Sequence, residues 1–243
     1  MKKVFAILFA SLTLTASIHV SAKDKTHINA SKYNSDEREV ANFSSVAGAG
    51  PINIIITLGS KAGCRLEGDA EAIASIVTEV KGNALIIRPQ TSITSWSRKY
   101  EDKKITAYVT ATSLKSVTMN GSGGMTVNGK VNAGDFAAVL SGSGSIKVNV
   151  DADNFSGVIS GSGSINITGG ADHAKVVISS SGTFAGKAFS VKTLSTTISG
   201  SGAVNIAVDE SISAVISGSG SVNYSGDPSI SKTVIGSGRV RKV

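Results

Sequence analysis

The acidic residues of the carboxyl-terminal half are the side chains most able to do chemistry. They recur at the turn of each repeat that lies opposite a glycine-rich turn, and they are Asp135, Asp151, Asp153, Asp172, Asp209, Glu210 and Asp227. Two carboxyl groups about 5 to 10 Å apart could hydrolyse a glycosidic bond. Several carboxylate oxygens in one shell could bind calcium. Aspartate also caps turns with its own side chain, and this is the role that we expect here.

The serines and histidines form no recognisable catalytic or metal-binding motif. The three histidines lie far apart in the sequence, without the spacing of zinc ligands. The Gly-Ser-Gly segments lack the strand-to-helix turn, acid and histidine of a hydrolase nucleophile. We therefore expect no catalytic residue, no metal and no cofactor. A polysaccharide lyase or glycosidase that uses Asp151, Asp153 and Asp172 is the alternative.

One short segment could contact a ligand. It contains Trp96, the only tryptophan, together with Arg98 and Tyr100. A tryptophan beside an arginine suits a sugar face or a protein hot spot. The alternative is that Trp96 packs against the end of the repeat array, so both roles stay open for this segment.

A column of β-branched residues could form a partner surface. Its members each precede an inward-facing apolar residue, and they are Val139, Val158, Val177, Thr197, Val215 and Val234. Strand propensity explains part of the pattern. If the residues stack in register, however, they form an apolar stripe suited to self-association or to docking of a partner. A second outward column is polar and contains Lys147, Asn166, Asn205, Asn223 and Arg241.

These residues are positioned by a repeat. Seven segments each join two apolar runs through a small-residue turn, most often Gly-Ser-Gly, and their final glycines stand at 123, 144, 163, 182, 202, 220 and 238. The steps between them are 21, 19, 19, 20, 18 and 18 residues. A period near 20 indicates one supersecondary unit per repeat, each covering its neighbour.

Within each repeat the apolar residues alternate with small or polar ones, which is the period of a strand. Glycine suits the turn because the chain must bend tightly, with positive φ, beneath an identical turn. We therefore predict an all-β fold, a single-stranded β-solenoid whose successive rungs pair in parallel. An antiparallel sandwich of hairpins is the competing interpretation.

The amino-terminal part is less regular. Residues 43–54 copy the repeat with Gly-Ala-Gly at the turn, and strands are predicted at 64–67, 73–80, 84–88 and 105–109. Residues 70–80 could instead form a short helix, and residues 90–104 read as a loop. We divide the chain into a flexible lead-in at 23–40, an irregular β part at 41–118 and regular repeats at 119–243.

Residues 1–22 have the charged start, apolar run and small final residues of a signal peptide. The apolar run is shorter than a membrane span, so we expect no transmembrane segment after cleavage. We expect the protein to be exported, whether to the periplasm, the cell surface or the medium. Its formal net charge is +7, with Lys and Arg scattered along the chain, which argues against nucleic-acid binding.

Cys64 is the only cysteine, so the chain cannot form an internal disulfide. Its flanks read as the start of a strand. We expect a buried thiol that behaves as a small apolar side chain, with an intermolecular disulfide or a reactive thiol as the alternatives.

The chain resembles the putative auto-transporter adhesin family with the head GIN domain. The resemblance covers about residues 40–243 and rests on the opening segment 43–54, the segment 82–87, the strand 105–109 and the repeated Gly-Ser-Gly turns. It implies a right-handed β-helix that is exported, has no known catalytic residues and acts in cell adhesion. A glycan, a surface protein or a second copy of the chain would then be the partner.

Overall fold

The computed structural model describes residues 33–100 and 102–243. The predicted signal peptide and the first ten residues of the predicted lead-in lie outside these ranges. The elements, in chain order, are β1 (Tyr33–Arg38), β2 (Ser45–Ala49), β3 (Asn53–Leu58), β4 (Gly63–Asp69), α1 (Ala70–Ala74), β5 (Ile76–Lys81), β6 (Ala84–Pro89), α2 (Ile93–Lys99), β7 (Ile105–Ala111), β8 (Ser116–Gly121), β9 (Gly124–Gly142), β10 (Ser145–Gly161), β11 (Ser164–Ser180), β12 (Thr183–Gly200), β13 (Ala203–Gly218), β14 (Ser221–Ser225), β15 (Ser229–Gly236) and β16 (Arg239–Lys242).

The repeats form a β-solenoid of about seven turns with rungs of roughly 19 residues. Strands β9 to β13 each run through a whole rung and pair in parallel with the next rung along the chain. We call the part of a rung that follows the glycine corner its first arm, and the part that leads to the next glycine corner its second arm. In β10 these are residues 145–150 and 154–161. The predicted solenoid is confirmed, and the sandwich of hairpins is wrong.

The interior is apolar and built from stacked columns of identical or similar residues. Phe155 lies at the centre of an aromatic cluster, with ring centroids 6.5 Å from Phe136, 5.7 Å from Phe184 and 5.2 Å from Phe189. Gly157 leaves room for these rings, since a Cβ there would lie 3.0 Å from the ring of Phe155. All four phenylalanines are buried, and their large apolar area stabilises the middle rungs.

Both glycine positions of a corner leave almost no room for a side chain. Gly142 has φ +110, and a Cβ there would lie 2.6 Å from the carbonyl oxygen of Gly121 on the rung before. At the second glycine the obstacle is the core, because a Cβ on Gly220 would lie 2.5 Å from Cγ2 of Ile198. The corner backbone remains hydrogen-bonded, since the amide of Gly144 donates to the carbonyl of Gly121 at 2.9 Å.

The amino-terminal rungs do not stack in chain order. Strand β2 pairs in parallel with β6 on one side and with β8 on the other, and β3 pairs in the same way with β7 and β9. The rung at 45–58 therefore lies between the rung at 84–111 and the rung that begins at residue 116. Parallel pairing of successive rungs, which the repeats predicted, holds from β8 onward and not among the less regular amino-terminal rungs.

The outer side of the rung at 84–111 is covered by antiparallel structure, which we call the cap. Strand β4 pairs antiparallel with β7, β1 with β4, and β5 with β6. Helix α1 begins at Asp69, whose side chain accepts hydrogen bonds from the amides of Glu71 and Ala72. This arrangement ends the parallel sheet without leaving a long regular edge at the amino-terminal end.

Three local predictions for the cap need correction. Residues 33–38 of the predicted flexible lead-in form strand β1. The predicted loop at 90–104 contains helix α2, which begins at Ser92, whose hydroxyl accepts a hydrogen bond from the amide of Ser95. Residues 70–80 are neither all strand nor all helix, since α1 occupies 70–74 and β5 begins at residue 76.

One residue at a corner position has a strained backbone conformation. Ser180 is the one residue other than glycine with positive φ in the described ranges, at +102, and it pairs with Gly161 and Gly200 at the first corner position. We predict that Ser180→Gly raises the free energy of unfolding by about 1 kcal/mol, because relief of backbone strain exceeds the greater chain entropy of glycine. Denaturant unfolding followed by circular dichroism measures the change.

Ser179→Gly is the matched control, because Ser179 is also an exposed serine but has no positive φ. It should lower the free energy of unfolding by about 0.5 to 1 kcal/mol. Changes of the same sign in both variants would contradict the assignment of strain to Ser180.

Candidate functional site

The outer face of the second arm is a flat surface of small side chains, which we call the second-arm face. Its central column runs in register through seven rungs and consists of Thr118, Val139, Val158, Val177, Thr197, Val215 and Thr233. Val215 is 45% exposed, and Val139, Val158 and Val177 are half-buried. Five of the six residues of the predicted stripe therefore do stack in one outward column.

Val234 does not belong to this column. It pairs with Ile216 of the rung before, so it continues an inward column, and it packs against the core. Thr233 takes the outward position instead, in register with Val215. The error has a simple cause, since the last repeat has Val-Ile-Gly-Ser-Gly where the preceding repeat has Ile-Ser-Gly-Ser-Gly. Aligning the two repeats on isoleucine shifts the register by one residue, which reverses inside and outside.

The two columns that flank the central column of the second-arm face consist mainly of short side chains. They consist of Ala137, Ser156, Lys175, Ser195, Ser213 and Ser231 on one side, and of Ser141, Ser160, Ser179, Ser199, Ser217 and Ile235 on the other. Serine and alanine dominate both columns, so no long side chain rises above the central column except Lys175 and Ile235. The face can therefore approach another flat surface closely.

A shallow groove of about 690 Å³ crosses this face beside the corner opposite the glycines. Its polar side chains are linked from rung to rung, since the amide of Asn154 donates to Asp135 at 3.0 Å and His173 Nδ1 lies 2.9 Å from the hydroxyl of Thr193. These hydrogen bonds hold the side chains against the sheet. The groove is thus a smooth concave strip and not a pocket closed around a small molecule.

Three of the acidic turn residues, Asp151, Asp172 and Asp227, are paired with lysines. Asp151 lies 2.6 Å from Lys130, and Asp172 lies 2.8 Å from Lys192. The hydrogen bond from Lys192 holds the pKa of Asp172 below its usual range. A general acid for glycoside hydrolysis needs the opposite shift, a raised pKa.

Asp153 and Asp172 occupy equivalent positions on adjacent rungs, since Ala152 pairs with Ala171 and Asn154 with His173. The turn-capping role remains our expectation for these residues. Within residues 33–100 and 102–243, no three carboxylate, histidine or cysteine side chains come together as metal ligands would.

The predicted ligand segment lies in the cap, where two of its three residues are buried. Trp96 is 2% exposed and Tyr100 is 6% exposed, and their ring centroids are 5.0 Å apart. The indole nitrogen of Trp96 donates to the hydroxyl of Ser75 at 2.6 Å, and the hydroxyl of Tyr100 donates to Glu71 at 3.3 Å. Only Arg98 is exposed. The packing role proposed for Trp96 fits this geometry, and a ligand contact by Trp96 and Tyr100 does not.

The family model described as "Putative auto-transporter adhesin, head GIN domain" matches residues 42–228, which is more than half of the chain. The chain belongs to this family. The expected resemblance is thereby confirmed, and the matched range includes all of the elements from β2 to β14 but not strand β1 of the cap.

Several solved structures are similar in fold to this chain. An adhesin from Bacteroides fragilis has 20% identity and a TM-score of 0.77, covering 87% of this chain and 97% of its own. A lipid-binding protein from Parabacteroides distasonis has 22% identity and a TM-score of 0.69, with the same coverage, and an adhesin from Parabacteroides merdae has 19% identity and a TM-score of 0.67, covering 87% and 96%. All three names are prefixed "putative". At these identities the likeness concerns the fold alone. No curated protein matches the chain.

The described part of the chain contains no helix with the length and apolar character needed to cross a bilayer. Its two helices have five and seven residues.

The polar column of the first arm was recognised in the sequence, but the groove that it borders was not. Lys147, Asn166, Asn205, Asn223 and Arg241 do stack on the outer face of the first arm. Lys130 and Lys187 stand beside this column because their rungs contain extra residues. The signal that could have found them is the unequal repeat length, 21 and 20 residues for these two rungs and 19 for the two rungs between them.

Trp96→Ala should lower the free energy of unfolding by about 3 to 5 kcal/mol, because it leaves a cavity in the cap and removes the hydrogen bond from the indole to the Ser75 hydroxyl. Arg98→Ala, on the exposed side of the same helix, should change it by less than about 0.5 kcal/mol. Denaturant unfolding followed by circular dichroism compares the two. Equal effects would mean that Trp96 does not hold the cap together.

Cys64 should be inert in the folded protein. It is 2% exposed, and burial raises the pKa of its thiol to about 12 from an ordinary value of 9.0. The thiolate is the reactive form, so an aromatic disulfide reagent at pH 8 should react slowly with native protein and rapidly after denaturation. Because the pKa is raised in the folded state, Cys64 should lower stability only as the pH rises above about 9.

Rapid reaction of the native thiol at pH 8 would contradict this prediction. It would favour the alternative of an accessible, reactive cysteine.

Proposed function

We propose that this member of the head GIN family is an exported, non-catalytic binding module of the adhesion type, which docks a partner protein on its second-arm face. The observation that carries the proposal is the continuous column of small and β-branched residues through seven rungs, flanked by columns of serine and alanine. Such a face buries apolar area against a flat partner with little loss of side-chain entropy.

Two further observations support binding over catalysis. Two of the three carboxylates that an enzyme would use, Asp151 and Asp172, are paired with lysines, and the pKa of Asp172 is lowered. The names of structurally similar proteins describe adhesins and a lipid-binding protein, which are binding functions. The family name also supports a location at or beyond the cell surface.

The docking role can be tested with a pair of matched variants. Val158→Glu with Val215→Glu places two charges on the second-arm face and should weaken partner binding at least about tenfold, because docking would desolvate both carboxylates. Binding of labelled protein to cells of the source organism, with and without protease treatment of the cells, measures docking to a surface protein. Light scattering of the pure protein measures docking to a second copy.

Ser143→Glu with Ser219→Glu is the control, because it adds the same charge at exposed glycine corners outside the face. It should leave binding unchanged, and circular dichroism should show both variants to be folded. The role of this face would be refuted if both double variants lost binding equally, or if the unaltered protein bound in neither assay. If the unaltered protein cleaves a polysaccharide and the double variant Asp151→Asn with Asp172→Asn does not, the protein is an enzyme instead.

A further inference from the structure

A second groove lies on the outer face of the first arm, separate from the second-arm face, and it has a volume of about 590 Å³. Its floor is formed by β10 and β11, which pair residue for residue with no shift between residues 145 and 152. Strands β9 and β12, where the pairing with β10 and β11 is interrupted, stand on either side of this floor, and the lining continues past β12 to Asn205 of β13. Strands β9 and β12 are about 14 Å apart, which is three rung spacings.

Strands β9 and β12 each contain a β-bulge on their side of the groove. Lys147 and Asn149 of β10 pair with Thr126 and Lys130 of β9, so three residues of β9 stand opposite one of β10. The bulge in β12 is smaller, with two residues opposite Ile167 of β11. Bulges interrupt a ladder and re-aim side chains, and they are concentrated near functional sites. Here they convert an otherwise flat face into a concave one.

The groove is cationic. Its lining contains Lys130, Lys147 and Lys187 and no acidic residue. Lys130 is engaged by Asp151 at 2.6 Å. Within the described ranges, Lys147 and Lys187 make no ion pair, and both are exposed. Two ammonium groups are therefore available to an anion that enters the groove.

The remaining polar groups are neutral amides and hydroxyls. Asn128, Asn149, Asn166 and Asn205 line the groove together with Thr126 and Thr168. A side-chain amide offers a donor and an acceptor side by side, which matches neighbouring hydroxyl groups of a sugar ring. Ala185 and Ala188 add aliphatic surface that can contact the carbon-bound hydrogens of a ring.

The backbone of the floor excludes one common mode of peptide binding. Strands β10 and β11 are paired on both sides in the parallel ladder, so neither offers a free edge to an added strand. A ligand must therefore be held by side chains alone. Amides and ammonium groups suit a chain that carries hydroxyls and anions better than they suit a peptide backbone.

We propose that the groove of Lys147 and Lys187, walled by the bulges of β9 and β12, binds an acidic glycan, a sugar chain bearing carboxylate or sulfate groups. The lysines neutralise the anionic groups, and the asparagine amides bind the hydroxyls. Because exposed charges supply much of the attraction, binding weakens with rising salt. The groove lies on the first arm, whereas the proposed protein-docking face lies on the second arm. An experiment can therefore refute one of the two proposals without refuting the other.

Isothermal titration of the full chain at about 50 mM and about 300 mM salt tests the proposal. The probes are oligogalacturonate for carboxylates, heparin oligosaccharides for sulfates, dextran as an uncharged glycan and polyglutamate as an acidic peptide. At least one acidic glycan should bind, more weakly at the higher salt, and dextran should not bind. Tight binding of oligogalacturonate or of heparin identifies which anionic group the site prefers.

Lys147→Gln with Lys187→Gln should weaken that binding at least about tenfold. Lys175→Gln with Lys232→Gln removes the same charge from exposed lysines outside the groove and should change it less than about twofold. Circular dichroism and thermal unfolding should show both variants to be folded like the unaltered protein.

Several results would overturn the proposal. They are failure of both acidic glycans to bind, equal binding of dextran, or equal losses in the two lysine variants. Polyglutamate binding as tight as that of the glycans would assign the groove to acidic peptides. Val158→Glu with Val215→Glu should retain glycan binding, so loss of glycan binding there would mean that the two surfaces are not separate.

Discussion

The close stacking of the glycine corners is the constraint on which the rest of the structure depends. A Cβ at Gly142 would lie 2.6 Å from the carbonyl oxygen of Gly121, and one at Gly220 would lie 2.5 Å from the side chain of Ile198. A side chain at the first position is tolerated only with backbone strain, as at Ser180, which has positive φ. Once the corner closes, each rung is fixed at one height and one register above the last. Because side chains alternate with a period of two, that register decides which residues enter the core and which form the outer columns.

Much of the fold from β8 onward could be predicted because the same constraint repeats in the sequence. The repeat period predicts the length of a rung, and the glycines predict the position of its corner. The alternation of apolar and polar residues predicts which side chains face inward and which face outward. The order of the amino-terminal rungs could not be predicted in this way. Strand β2 pairs with both β6 and β8, and the sequence of residues 45–49 does not indicate that the later strand β6 will pair on one side of it. The cap helices were difficult for a related reason. Residues 93–99 have no clear apolar period, and their helix depends on burial of Trp96, whose indole donates to Ser75 just after α1.

The outer columns were predictable to the extent that repeats could be aligned. Residues 139, 158, 177 and 215 stack as expected because Gly-Ser-Gly fixes their distance from the corner, apart from Ser180 in one repeat. Val234 was misplaced because an apolar residue was used as the reference in place of the glycine. Trp96 and Tyr100 suited a ligand site by residue type, but burial depends on long-range packing that residue type does not report. Bulges were visible only as repeats of unequal length, and their position within a rung required the register.

A parallel solenoid places each side chain beside its counterparts about 4.8 Å away, so a column of like charges would repel itself along its whole length. This chain avoids that in two ways. At the acidic corner, lysines on neighbouring rungs pair with aspartates, as Lys192 does with Asp172 and Lys130 does with Asp151. On the first arm, lysines are separated by neutral residues, as Lys147 is by Thr126 and Asn166. The first solution cancels the charge, whereas the second leaves cations spaced along a groove. The second-arm face carries almost no charge, and so the two faces of one scaffold suit different partners.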